Sequence, residues 1–272
     1  MDRRKLKETS RQSLQDAAYS IKRVTLVCLL AIAALALLEW GLSTLVQHTT
    51  SSGRYISDTV ASSGRTYLLL FLVSLICQGI LILLLMGYGA FSLRLSRREA
   101  FSLDVLLFGF RIWTKVLILY FMTAALLALW SSIFAMPVSY LLSALYLSGE
   151  ISMETVYLLL MLYTAIVMAV LSYRYRMAWF VLLDHPELPV RQVINQAKAI
   201  NRVHRWQLFL LDISFLPWWL LGILTCGILL IWKLPYITVT YAHAYHFMLD
   251  DYAKRQARLK ELLEQQGRPF TM

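Results

Sequence analysis

Lysine and arginine fall almost entirely into alternate gaps between long apolar runs of this chain. Each run has 19 to 27 residues. At about 1.5 Å of rise per residue, an α-helix of that length crosses a hydrocarbon layer of roughly 30 Å. The pattern therefore predicts an all-α, polytopic membrane protein with a bundle of six transmembrane helices, at residues 24–46, 67–93, 113–136, 156–178, 206–224 and 228–249.

The distribution of basic residues predicts the orientation of these spans. With the N-terminus in the cytoplasm, the four inner segments hold seven, five, six and five of the 26 lysines and arginines. Only Arg54 and Arg65 lie in outer loops, and Lys233 lies within a span. Because basic segments stay on the cytoplasmic side, we expect both termini to be cytoplasmic. The chain then divides into a basic cytoplasmic arm, a six-span membrane domain and a charged cytoplasmic tail, at residues 1–23, 24–250 and 251–272.

The composition excludes an ordinary soluble domain. Hydrophobic residues make up 59% of the chain and charged residues only 15%, against about 25% charged in soluble proteins. The formal charge of +10 follows from the topology and brings basic segments against anionic lipid headgroups, the partner that we expect at the cytoplasmic face. No gap is long enough for a soluble basic domain, so nucleic-acid binding is not expected. The cysteines lack the spacing of disulfides or metal sites and are interpreted as small buried hydrophobic residues: Cys28, Cys77 and Cys226.

One inner segment, residues 188–205, predicts a cationic amphipathic helix, and the earlier inner segment before span three has a similar layout. Polar and basic side chains occupy one side of the helix, and apolar ones recur at helical spacing on the other: Val190, Val193, Ile194, Ala197, Ile200 and Val203. Such a helix can lie at the cytoplasmic interface with its apolar face in the acyl boundary, which we favour. It can also pack under the bundle as a coupling element.

Ionisable residues near the inner ends of the spans are the first candidates for a functional site, because an intramembrane charge is costly. Asp212 lies six residues into span five, about 9 Å along the helix. A structural role would pair it with Arg174, with Arg176 or with a backbone group of span two, and this is the role that we favour. The alternative is a proton or substrate site. Arg174 and Arg176 lie where span four leaves the membrane, and we expect them to reach inner-leaflet phosphates, with an anionic-ligand site as the alternative.

Glu39 and Lys233 both fall in the outer half of the membrane. They could form an ion pair that joins the first and last spans. Equally, each could extend separately to the outer headgroups.

Motifs of catalysis are absent from the sequence. There is no Gly-rich phosphate loop, nucleophile elbow, HExxH or CxxC, so we expect no enzymatic activity, no cofactor and no metal. His243, His246 and Asp250 have a spacing that metal ligands could use, but Tyr241 and Tyr245 beside them favour an aromatic belt at the interface.

Several segments resemble a bacterial family of six-helix integral membrane proteins, DUF975. They are RRE at 97–99, LLFGFRIW at 106–113, Tyr-x-Tyr-x-Met at 173–177, DHPEL from Asp184, and LFLLDISFLPWWLLGILTCGILLIWKLPY at 208–236. The chain departs from the family where Arg98 and Pro217 replace common glycines, and where the Ile-Pro-Gly turn after span three becomes residues 135–137 with a longer loop. The resemblance implies the fold and a bacterial plasma membrane location, and it implies no activity.

Two functions are compatible with this sequence. The first is a structural, assembly or lipid-interacting role in the bacterial cell envelope, which the all-membrane build and the basic interfacial segments favour. The alternative is a transporter or channel for a small or amphiphilic solute, for which Asp212, Lys233 and the interrupted final spans are the motivation. A homo-oligomer is compatible with either function.

Overall fold

A computed structural model describes residues 3–15, 18–51, 56–99, 102–225 and 227–265 of this chain. Throughout those ranges the structure is helical and contains no strand. The first helices are α1 (Arg3–Gln15), α2 (Ala18–Ser51) and α3 (Ile56–Ser96), followed by a 3-10 turn (Leu103–Leu107) and the short α4 (Phe108–Arg111). The later helices are α5 (Trp113–Leu147), α6 (Met153–Ser172), α7 (Ala178–Asp184), α8 (Val190–Ile213), α9 (Leu216–Leu224) and α10 (Leu230–Gln265).

Within the described ranges, five segments are long and apolar enough to cross a membrane: Ile21–Thr44, Leu68–Ser96, Trp113–Leu147, Met153–Ser172 and Val190–Leu224. They overlap the first five predicted spans and indicate a multi-pass membrane protein. The sixth predicted span, except for its first two residues, lies within α10, where Lys233, His243 and His246 interrupt the apolar sequence. The total of six spans therefore stays a prediction.

The outer loop predicted at residues 137–155 is much shorter in the structure. The helix α5 continues through Pro137 to Leu147, because apolar residues follow the proline and a single proline is tolerated within a membrane helix. The helix stops at Gly149, whose φ of 79° suits a residue without a Cβ. The next helix, α6, begins directly afterwards, with the Ser152 hydroxyl accepting a hydrogen bond from the backbone N–H of Thr155 at 3.3 Å.

The predicted interfacial helix and the start of predicted span five form one continuous helix, α8. The break comes later, at Ser214 and Phe215. Pro217 explains it, since a proline has no N–H to donate to the carbonyl of Ile213 four residues earlier. The same proline fits the first turn of α9, where no donor is needed.

The apolar face of α8 is buried by the protein itself. Val193, Ala197 and Ile200 have no exposed surface, and α8 contacts α7, whose Val181 and Leu182 are equally buried. The interpretation that we favoured, in which this face lies in the acyl boundary, is therefore wrong. This face packs against the rest of the protein, as in the alternative interpretation. The exception is Val203, the last residue of the predicted face, which is 56% exposed.

The described residues form two compact units. The first unit contains the described residues of Arg4–Leu117 and Trp218–Thr240. The second contains Arg3 and the described residues of Ile118–Pro217 and of the chain from Tyr241 onwards. In the first unit α2 packs along α3, where the Thr25 and Tyr88 hydroxyls are hydrogen-bonded at 3.0 Å. In the second unit α7 packs on α8.

Two glycines bring α3 into backbone contact with the segment that follows it in the first unit. A Cβ on Gly87 would lie 1.9 Å from the carbonyl oxygen of Leu106, and a Cβ on Gly109 would lie 2.1 Å from that of Leu83. The LLFGFRIW segment therefore lies directly on the backbone of α3. A side chain larger than hydrogen has no space at either position.

Arg98 holds a strained conformation at the end of α3. Its φ is 57°, and the N–H of the next residue, Glu99, donates to the carbonyl of Arg94 at 3.0 Å. Glycine is the usual residue at this position of a helix end, because a Cβ is disfavoured in the left-handed region. This geometry gives a physical reason for the glycine that is common here in the family.

We expect Arg98→Gly to raise the free energy of unfolding by about 0.5 to 1 kcal/mol, because the strain at a positive φ disappears. Thermal unfolding in detergent micelles would measure the change. Arg97→Gly, at the preceding residue without a positive φ, is the matched control and should not stabilise the protein. Equal stabilisation by both variants would contradict the strain at Arg98.

Candidate functional site

Asp212, near the end of α8, is the centre of a polar cluster in the second unit. Its Oδ2 accepts a hydrogen bond from the Tyr173 hydroxyl at 2.6 Å. Its Oδ1 accepts one from Arg176 Nη2 at 3.0 Å and another from the Tyr241 hydroxyl. We call these four residues the Asp212 cluster. Tyr173 and Arg176 come from the turn between α6 and α7, and Tyr241 comes from α10, so one carboxylate joins three parts of this unit.

Aromatic rings surround the arginine of the Asp212 cluster. The guanidinium carbon of Arg176 lies 5.7 Å from the ring centre of Tyr173 and 5.1 Å from that of Tyr241. Both distances suit cation–π attraction. Arg176 Nη2 also donates to the Tyr241 hydroxyl oxygen at 3.2 Å. The positive charge is therefore matched by one carboxylate and two ring faces.

The geometry of the Asp212 cluster favours a structural role for Asp212 over a role as a proton or substrate site. Three donors occupy the carboxylate oxygens, and the side chain is only 21% exposed. Both oxygens of the carboxylate therefore have hydrogen-bond donors from within the protein. To bind a proton or a solute, Asp212 would first have to release donors that hold the unit together.

Arg174 and Arg176, which the sequence analysis considered together, have different partners in the structure. Arg176 pairs with Asp212, whereas Arg174 meets α8 through its backbone, where its carbonyl oxygen accepts from Asn201 Nδ2 at 3.3 Å. Tyr241 was missed as a member of the cluster because the sequence placed it in an aromatic belt. One signal could have found it, since a tyrosine hydroxyl within an apolar helix needs a hydrogen-bond partner.

The aromatic belt predicted for Tyr245 is also wrong. Tyr245 has no exposed surface, its ring stacks on Phe180 at 5.6 Å, and its hydroxyl donates to Asp184 Oδ2 at 3.1 Å. Tyr241 and Tyr245 therefore each join α10 to a carboxylate of the second unit. Carboxylate–tyrosine bonds, rather than contact with headgroups, explain these two aromatic residues.

Glu39 and Lys233 have different partners in the first unit. Glu39 Oε1 accepts a hydrogen bond from the Ser74 hydroxyl at 2.6 Å. Lys233 Nζ lies 3.9 Å from the ring centre of Trp218, within cation–π range. Both side chains belong to the described part of the chain, and no ion pair joins them there. The structure therefore does not bring this candidate pair together.

A second charged contact joins α8 to the second half of α10. The buried His204 contacts Asp251 Oδ2 through Nε2 at 3.0 Å and Gln207 Oε1 through Nδ1 at 2.7 Å. Arg255 Nε lies 3.0 Å from the same Asp251 oxygen. The hydrogen bond from His204, with the charge of Arg255, holds the pKa of Asp251 below its ordinary value.

This lowered pKa predicts a pH dependence of stability. The contribution of Asp251 is fully present above its unfolded pKa, near 4, and is lost as the pH falls through the lower folded value. Because the side chain is 36% exposed, we expect at most about 1 kcal/mol. Thermal unfolding of the wild type and Asp251→Asn should differ at pH 6, and the difference should shrink below pH 4. A difference that is constant from pH 3 to pH 7 would contradict this assignment.

The residues that the structure describes include no group of three or more histidine, cysteine or acidic side chains that could hold a metal ion. The long apolar helices of the described residues are those of a multi-pass membrane protein. A family model described as a protein of unknown function, DUF975, matches residues 1–250, and the chain belongs to this family. Neither a curated protein nor a solved structure matches the chain.

Proposed function

We propose that this protein is a six-span protein of the bacterial plasma membrane with a structural or lipid-interacting role, in which α8 presents a basic surface to anionic headgroups in the cytoplasm-facing leaflet. Both termini are cytoplasmic in this proposal, and the protein catalyses no reaction. Several apolar helices and the family membership support the membrane assignment. The role itself is inferred from the surface of α8.

The observation that carries the proposal is the division of α8 into two faces. The apolar face is covered by the protein, so it is not needed for attachment to lipid. The opposite face is exposed and basic at Arg191, Arg202 and Arg205, which share one side of the helix by their spacing. We call these three residues the α8 basic face. Each basic residue near an anionic leaflet contributes about 1 kcal/mol of attraction.

Replacing the α8 basic face tests this role. The triple variant Arg191→Gln, Arg202→Gln and Arg205→Gln should reduce the enrichment of anionic lipid around the protein at least about threefold. Enrichment is measured as the lipid composition of polymer-extracted membrane patches relative to the whole membrane. The matched control removes three exposed charges from the end of α10, with Lys254→Gln, Arg258→Gln and Lys260→Gln.

The control variant should retain most of the enrichment, since its charges lie in the tail rather than on α8. Equal losses in both variants would show that net charge, and not the α8 basic face, attracts the lipid. No enrichment around the wild-type protein would refute the proposed lipid interaction altogether.

The alternative function, transport of a small or amphiphilic solute, depends on Asp212 as a proton or substrate site. The three donors on its carboxylate favour the structural role instead. Flux assays in liposomes with wild-type protein and Asp212→Asn distinguish the two functions. Solute flux that Asp212→Asn abolishes in a folded protein would support transport and contradict our proposal.

A further inference from the structure

The turn between α6 and α7 contains a second arginine whose charge the Asp212 cluster does not use. Arg174 forms no ion pair with any carboxylate in the described part of the chain. Its Nε is enclosed by the protein and has no hydrogen-bond partner there. A buried N–H of a charged group without an acceptor is unusual in folded proteins. Arg176, two residues later in the same turn, has a carboxylate partner on α8. Arg174 therefore differs from Arg176 in lacking a counter-charge in the described part of the chain.

A lysine on α8 adds a second cation beside Arg174. Lys198 Nζ lies 5.4 Å from the ring centre of Tyr175, the residue next to Arg174. The charges of Lys198 and Arg174 act unfavourably on each other. Two cations held close together, without a carboxylate between them, attract an anion from outside the protein.

A buried amide completes the arrangement. Asn201 lies one helical turn after Lys198, and its side chain has no exposed surface. Its Nδ2 donates to the Arg174 carbonyl, while its Oδ1 is enclosed and has no donor in the described part of the chain. The arrangement therefore offers a buried acceptor beside two cations. An anion without a hydroxyl donor, such as chloride or sulfate, satisfies the cations only.

We propose that Arg174, Lys198 and Asn201 form a binding site for a lipid phosphodiester headgroup that carries a free hydroxyl, as in phosphatidylglycerol. The phosphate oxygens accept from the Arg174 guanidinium and the Lys198 ammonium. The headgroup hydroxyl donates to Asn201 Oδ1. This inference rests on the proposed lipid interaction, and it adds one selective site to the general attraction of the α8 basic face.

A comparison of two lipids tests the site in the wild-type protein. Phosphatidylglycerol and phosphatidylmethanol carry the same charge, but only the first has a free hydroxyl on its headgroup. The full-length protein is extracted from phosphatidylcholine bilayers that contain one or the other, and native mass spectrometry counts the retained lipid. We expect one phosphatidylglycerol to be retained about fivefold to tenfold more strongly. Equal retention of the two lipids would overturn the hydroxyl assignment.

Single substitutions test which residues of the proposed site contribute to lipid retention. Arg174→Gln and Lys198→Gln should each weaken retention of both lipids about tenfold. Arg258→Gln, which removes the same charge from an exposed position on α10 outside the α8 basic face, is the matched control and should change retention less than about twofold. Asn201→Ser should remove the preference for phosphatidylglycerol and leave retention of phosphatidylmethanol unchanged. The binding of each variant is compared only after its thermal unfolding shows a folded protein.

The outcomes separate this site from the general lipid role. If anionic lipid is enriched but Arg174→Gln and Lys198→Gln retain lipid as well as Arg258→Gln does, the proposed function stands and the site is wrong. A soluble source of the same chemistry is tested by calorimetry with glycerol 1-phosphate and inorganic phosphate. Binding of these compounds without selective retention of phosphatidylglycerol would overturn the lipid as the ligand.

Discussion

Gly109→Ala is expected to lower the free energy of unfolding by about 3 kcal/mol, because its new methyl group would meet backbone rather than a flexible side chain. The Cβ would lie 2.1 Å from the carbonyl oxygen of Leu83 in α3. Gly87→Ala should act in the same way, since its Cβ would lie 1.9 Å from the Leu106 carbonyl oxygen. Neither contact can be relieved without separating α3 from the segment that follows it. The measurement is reversible unfolding of purified protein in mixed micelles.

Gly79→Ala provides a control in α3, the helix that contains Gly87. A Cβ at Gly79 has no atom within 4 Å outside its own helix. Alanine is a better helix former than glycine by about 1 kcal/mol, so this variant should be neutral or slightly stabilising. If Gly79→Ala and Gly109→Ala destabilised the protein equally, the close backbone contact would not be the cause.

Asp212→Leu is the second change with a large expected effect. It removes the acceptor of three hydrogen bonds and leaves Arg176 without its counter-charge. We expect the free energy of unfolding to fall by about 2 to 4 kcal/mol, with the lower part of this range reflecting the partial exposure of Arg176. Asp250→Leu is the control, because Asp250 is an exposed carboxylate on α10, and its loss should cost less than about 0.5 kcal/mol.

A double-mutant cycle separates the ion pair from the rest of this effect. Arg176→Met alone should destabilise the protein, and the double variant with Asp212→Leu should cost less than the sum of the two single changes by about 1 kcal/mol or more. Strictly additive losses would mean that Asp212 and Arg176 contribute independently. The role of the carboxylate would then rest on the two tyrosine hydroxyls.

The helical architecture could be predicted from the sequence because it depends mainly on a local property, the length of each apolar run. Long runs of mostly apolar residues indicate where helices can cross a membrane, and the described part of the chain contains five such helices. Helix ends were less predictable, since Pro137 lies within α5 while Pro217 follows the break after α8. A proline removes one hydrogen bond at either position, and packing elsewhere decides whether the helix continues.

The packing of α8 shows what the sequence could not provide. Its periodicity predicted an apolar face at Val193, Ala197 and Ile200, but periodicity is the same for a face in lipid and a face against protein. Only the position of α7 distinguishes the two, and α7 was not predicted as a separate helix. Burial of this apolar face then leaves the opposite, exposed side of α8, which carries Arg191, Arg202 and Arg205, to face lipid.

The candidate site was predictable in part. The cost of a charge within a span identified Asp212, and proximity to the end of span four suggested the arginines as partners. The choice of Arg176 over Arg174 depends on the turn after Ser172, which sequence patterns do not define. Tyr241 joins the cluster from a helix distant in sequence, and only the fold brings its hydroxyl to the carboxylate.

The most direct test of the six-span topology is to measure on which side of the membrane single cysteines lie. They are introduced one at a time into a variant without Cys28, Cys77 and Cys226. Cysteines placed at Glu150, Arg191 and Lys254 are labelled with a membrane-impermeant maleimide in right-side-out and inverted vesicles. We predict labelling of positions 191 and 254 only in inverted vesicles, and of position 150 only in right-side-out vesicles, because α6 crosses the membrane between them. Labelling of positions 150 and 191 from the same side would contradict the account.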